Sequence, residues 1–100
     1  MNMFHLESVG SVRHLRLSGD VTIEHAARLH AALVAAMAPG CVLAIDATAV
    51  ARLDAAAVQV LIAAARAAAS ADVAGGSPAW TQALIRLGFD AALFSHPAQS

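Results

Sequence analysis

From Ala31 to Ile45 the chain reads AALVAAMAPGCVLAI, an apolar run split by Pro39-Gly40 and closed by Asp46. The run is too short for a bilayer, which a helix crosses with roughly 20 apolar residues. Proline cannot continue a helix and Pro-Gly marks a turn, so the run divides into a helix, a turn and a strand. The strand half, CVLAID, is unbroken and apolar, which predicts a central strand buried on both faces.

The flanking segments carry two different periods. MFHLES and SVRHLRLSG alternate every second residue, with Phe4 and Leu6 opposing His5 and Glu7, and Leu15 and Leu17 opposing His14 and Arg16. Such alternation predicts half-buried strands, joined as an antiparallel hairpin by a turn at Gly10. Gly19-Asp20 is expected to end the second strand. TIEHAARLHAALVAAM then places Ala26, Leu29, Leu33 and Met37 at helical spacing. Thr22 is positioned to cap its first turn, Glu24 lies where the helix dipole favours an anion, and Glu24 and Arg28 stand at i,i+4.

After the central strand, ATAVARL reads as a loop, followed by a helix from Asp54 to about Ser70 with Val58, Leu61, Ile62, Ala65 and Ala69 as its core stripe. DVA reads as a short strand. In GGSPAWTQALIRLGF, Ser77 is the N-cap, Pro78 the first helical residue and Gly88 the stop, with Phe89 folding back on Leu84. The order β-β-α-β-α-β-α predicts an α/β fold in which helices pack a mixed sheet. One domain is expected over residues 1–96, with a loose tail at 97–100.

Composition removes several function classes. Among 100 residues, 59% are hydrophobic and 13% charged, which argues against disorder. The net charge is −1, from six arginines and no lysine against seven acids, so there is no basic footprint for nucleic acid and little attraction to anionic lipid. Without lysine neither a Walker-type phosphate loop nor a Schiff-base enzyme is possible. Cys41 is the single cysteine, so no internal disulfide or thiolate cluster forms, in keeping with a cytoplasmic protein. Cys41 itself is expected to act as a small hydrophobe. MNMFHLESVG lacks the basic-then-apolar pattern of a signal peptide.

The candidate chemical groups are weak. His5 and His14 could neighbour each other across the hairpin, but His25 and His30 are off a common helical face, so no metal site is expected. Asp46 ends a strand as a phosphoacceptor would, yet the accompanying acidic pair and lysine are missing, and bonding to loop amides is expected instead. No G-x-S-x-G motif is present. Gly75-Gly76-Ser77 is read as a turn and cap, the alternative being an anion cradle for a nucleotide or lipid. The chain is expected to be neither an enzyme nor a cofactor binder.

LRLSGDVTIEHAARLHAAL, CVLAIDATAVARLDAAAVQVLIAAAR and GGSPAWTQALIRLGFDAALF together resemble the STAS family, the domains of sulfate transporters and anti-sigma-factor antagonists. The resemblance covers nearly the whole chain and implies a cytoplasmic, non-enzymatic module that binds proteins. In the family's anti-sigma antagonists, the residue after the helix-leading aspartate is a serine or threonine that a partner kinase phosphorylates, and the added charge breaks the complex. Here that position is Ala55, and the small glycine usual two residues later is Ala57. An alanine has no hydroxyl, so the resemblance implies docking without this switch; Thr48, in the loop before the helix, keeps a hydroxyl near that surface.

The expected partner surface comprises Thr48, Val50, Leu53, Asp54, Ala55, Ala56 and Gln59, a flat, small-residue patch at the start of the second helix. Partners implied by the resemblance are first an anti-sigma factor or related kinase or a chemotaxis protein, in bacterial signalling. Second is the ATPase of a phospholipid-transport ABC system, whose STAS subunit typically keeps a threonine where Ala55 stands. A homodimer is compatible with the same reading, whereas membrane insertion is not expected.

Overall fold

In the computed structural model, which describes residues 3–90 and Phe94, Gly10 adopts φ 59° and reverses the chain. The turn pairs β1 (Phe4–Val9) antiparallel with β2 (Val12–Val21), Val9 lying opposite Val12. Helix α1 (Ile23–Ala36) then crosses to β3 (Val42–Leu53), and α2 (Ala55–Ala67) crosses to β4 (Ser70–Gly76). Both crossovers join parallel neighbours, giving the sheet order β1-β2-β3-β4. Because each parallel crossover has the same hand and steps in the same direction, α1 and α2 fall on one face of the sheet. Helix α3 (Pro78–Leu87) follows β4 and packs against β3. The expected order of elements and mixed sheet are therefore present. The proposed loose tail at 97–100 lies outside the described residues.

The core fills the space between the sheet and its helices. Leu15, Leu17, Leu43, Ile45 and Ala47 point from the strands, and Leu29, Leu33, Val58 and Leu61 meet them from α1 and α2. Each fully buried Leu or Ile contributes roughly 1.5–3 kcal/mol relative to exposure. Cys41 is buried beside Met37, its Sγ 3.8 Å from the Met37 Sδ, as a small hydrophobe would be. Buried Trp80 of α3 stacks obliquely on Phe94, ring centroids 5.4 Å apart.

The central strand departs from expectation in two ways. It is buried on one face only: Leu43, Ile45 and Ala47 face the helices, whereas Val42, Ala44 and Asp46 are half-exposed. Both crossover helices occupy the same face, and Ala44 is apolar without being covered, which is why the run reads as continuous. Second, ATAVARL is strand, not loop. It pairs with the far end of β2, Ala49 beside Ser18 and Leu53 beside Val21. Correspondingly, β2 does not stop at Gly19-Asp20; Gly19 sits within it at φ 66°, where the register shifts as at a bulge.

Smaller corrections follow from where α2 ends. It stops at Ala67, so Ala68 takes the buried place expected of Ala69, and Ser70 already belongs to β4. That strand is longer than DVA and includes Gly75 and Gly76. Helix α3 matches its signals closely. Ser77 Oγ accepts from the Trp80 N–H at 3.1 Å, Gly88 is left-handed at φ 80°, and the Phe89 N–H donates to Leu84 O at 2.9 Å.

Candidate functional site

Asp54 stands between β3 and α2 and is the hub of the expected site. Its Oδ1 accepts from the Ala57 N–H at 3.1 Å, which caps α2. Its Oδ2 accepts from the Ile23 N–H, the first residue of α1, at 2.5 Å. One carboxylate thus caps two helices, facing the positive ends of both dipoles. The Asp54 N–H also donates to Val21 O at 3.2 Å, so main chain and side chain join the same two corners.

Thr22 occupies the N-cap position of α1 but makes no side-chain cap bond, contrary to expectation. Asp54 instead serves the Ile23 amide, one of the four at the helix start with no partner inside the helix, through a charge-assisted hydrogen bond. The other end of α1 is also capped from outside. No basic residue lies in its last turn, and Arg13 of β2 donates through Nε to Ala36 O at 2.6 Å.

The expected patch separates into three parts. Asp54, Ala55, Ala56 and Gln59 lie together on the first turns of α2, the first three half-buried and Gln59 exposed. Val50 and Leu53 are buried, at 3% and 4% exposure, so they brace the patch from within and do not present a surface. Their burial follows from the extension of β3. Thr48 is exposed but lies farther up β3, beside Gly75 of β4 rather than at the α2 start.

Thr48 is engaged with Asp46. Its hydroxyl donates to Asp46 Oδ1 at 2.6 Å and its N–H to the same oxygen at 3.0 Å, the amide bond expected of Asp46. The hydroxyl bond first, then the amide bond and the Arg16 charge, hold the Asp46 carboxyl below its ordinary value against a small opposing effect of burial. Arg16 Nε is 4.0 Å from Asp46 Oδ2. These residues, with His5, Glu7 and His14, surround a depression of about 250 Å³ on the open face of the sheet. Its charges are mixed in sign and solvated. Among the described residues, no group of three or more His, Cys, Asp or Glu is placed to hold a metal ion.

Gly75 and Gly76 are strand residues with a packing reason for lacking side chains. A Cβ on Gly76 would meet the Trp80 ring, and one on Gly75 would come 2.8 Å from Thr48 Cγ2.

Two surface features at the α2 start are missed by sequence reasoning. The first is an apolar groove between α1 and α2, bordered by Ala27, His30, Val34, Ala56, Val60 and Ala63. Its signal was present as a second helical spacing on each helix, at 27, 30 and 34 and at 56, 60 and 63, but alanine-rich helices make such stripes ambiguous. Exposed Val34, at 64%, stands at its edge. The second is a polar depression of about 400 Å³ between α3 and the starts of α1 and α2, with Arg52 and Arg86 on its rim. Ala56 borders the groove and Asp54 borders the depression, so the first turn of α2 separates the two.

A four-stranded mixed sheet with two crossover helices on one face, and an aspartate-capped helix start flanked by open surface, is the architecture of a STAS domain. The family model described as "Mlab, STAS domain" matches residues 4–95, and the chain belongs to that family. Its fold is similar to the crystal structure of an anti-sigma factor antagonist from Mycobacterium paratuberculosis, with TM-score 0.64 and 22% identity over 85% of this chain and 76% of that one. No curated protein matches the chain. No helix among the described residues is long and apolar enough to cross a membrane.

Proposed function

We propose that this STAS domain is a non-enzymatic docking module that holds a regulatory partner at the start of α2 without a phosphorylation switch. The observation that carries the reading is the pairing of Asp54 with Ala55. The carboxylate is committed to two helix amides, and the next residue offers no hydroxyl to modify. The apolar groove beside Ala56 and Gln59 supplies contact area, as exposed apolar patches at partner sites do.

Of the partners that the resemblance implies, the ATPase of a phospholipid-transport ABC system stands first, because the family model matched is the Mlab one. Sigma-factor regulation stands second. The test is Ala55→Glu, measured by titration calorimetry against that ATPase and against an anti-sigma factor from the same cell. The expected result is loss of binding with an unchanged circular dichroism spectrum. Undiminished affinity for whichever partner binds would move the interface elsewhere.

A further inference from the structure

We infer that the depression between α3 and the starts of α1 and α2 receives an acidic side chain of the partner protein, gripped by Arg52 and Arg86. This rests on the reading that the partner docks at the α2 start, and it names the chemistry the partner must present there. The two arginines come from different elements, the end of β3 and the last turn of α3, and line one depression together with Gln82 and Ala83 of α3. Neither makes an ion pair among the described residues, where the recorded pair is Arg16 with Asp46.

The local charge favours an anion although the whole chain is slightly acidic, at −1. Among the described residues Asp54 is the one carboxylate in the lining, and it faces two helix N-termini worth about half a positive charge each, which offset it. Asp20 is the register neighbour of Arg52 on β2, but it is outside the lining. Even if Asp20 neutralised Arg52 fully, Arg86 would remain unmatched. Guanidinium groups present planar, forked donors that fit a carboxylate in two-point contact.

The surroundings choose the source of that carboxylate. Among the described residues no aromatic ring lines the depression to stack a base, and the apolar groove that could hold an acyl chain lies across α2 from it. A protein seated on Ala55 and Ala56, by contrast, adjoins Asp54 at the border of the depression and is large enough to reach over it. An Asp or Glu side chain entering from the partner would fix orientation and hasten encounter, the usual effect of complementary rim charges.

The test uses the full chain labelled with ¹⁵N and titrated at low salt with acetyl-hexaglutamate amide. The peptide should shift the Arg52 and Arg86 side-chain Nε–H signals. Arg52→Gln/Arg86→Gln together should raise its dissociation constant at least tenfold, while Arg66→Gln on the exposed face of α2 should leave it unchanged. Equal weakening by Arg66→Gln, or no weakening by the double variant, would sink the inference. So would inorganic phosphate producing the same shifts at equal concentration, which would mark a small-anion site. The peptide carries no apolar docking surface, so its result is independent of Ala55→Glu. Intact Ala55-sensitive docking with no arginine dependence strikes this inference alone, whereas docking insensitive to Ala55→Glu strikes the reading beneath it.

Discussion

Two carboxylates of similar exposure do different work because of what donates to them. Asp54 takes one N–H from each of two helices, so its removal uncaps both. With each lost cap costing about 0.5–2 kcal/mol, Asp54→Ala is expected to destabilise the fold by about 1–4 kcal/mol in urea denaturation. Thr22→Ala should change the midpoint little, since its side chain caps nothing; equal losses in the two variants would show that the cap is Thr22 after all. Asp46 instead takes both its bonds from Thr48. Its folded pKa lies below the unfolded one, so its contribution is complete above the unfolded value and is lost as pH falls through the folded value. Thr48→Val removes the larger of the causes and should raise the Asp46 carboxyl titration midpoint seen by ¹³C NMR. A midpoint that stays in place would assign the depression to Arg16 and the amide alone.

Elements were legible in the sequence to the extent that their ends were local. Helix α3 carries Ser77, Pro78 and Gly88 within its own stretch, and each acts as its position implies. Helix α1 does not, because Asp54 serves its start from the junction of β3 and α2 and Arg13 serves its end from β2, both distant in sequence. The second half of β3 was illegible for the same reason: Ala47 to Leu53 has no strand period, and only pairing with β2 makes it a strand. The groove and the arginine pair are likewise products of packing, since no spacing relates Arg52 to Arg86. What was legible of the candidate site was the Asp54 cap and the placement of Ala55, Ala56 and Gln59 together on the first turns of α2. Close packing also fixes β4. Gly76→Ala would press a methyl group into Trp80, which Phe94 backs, and overpacking of this kind costs about 1–3 kcal/mol. A melting temperature equal to that of the unaltered chain would mean that the indole moves freely.

At the scale of the whole molecule, one face of the sheet carries the helices and the other meets solvent. The asymmetry makes neighbouring residues of β3 respond in opposite ways. Leu43→Ala should cost about 2–5 kcal/mol by opening a cavity. Ala44→Thr, one residue on and pointing to the open face, should fall within about 0.5 kcal/mol of the unaltered protein. Comparable losses at both positions in denaturant titrations would mean that the second face is covered in solution. Helix-side surface, not this sheet face, carries the proposed contacts, so the molecule presents its partner with the ends and flanks of α1, α2 and α3.

Sharing of one carboxylate between α1 and α2 has a bearing on how that surface breathes. The Ile23 and Ala57 amides are held by the same ion, so freeing either weakens the anchorage of the other. Their hydrogens should therefore exchange with solvent deuterium in a common opening event, as one cooperative unit of local unfolding. A partner that clamps the first turn of α2 would slow exchange in α1 as well, though it need never touch Ile23.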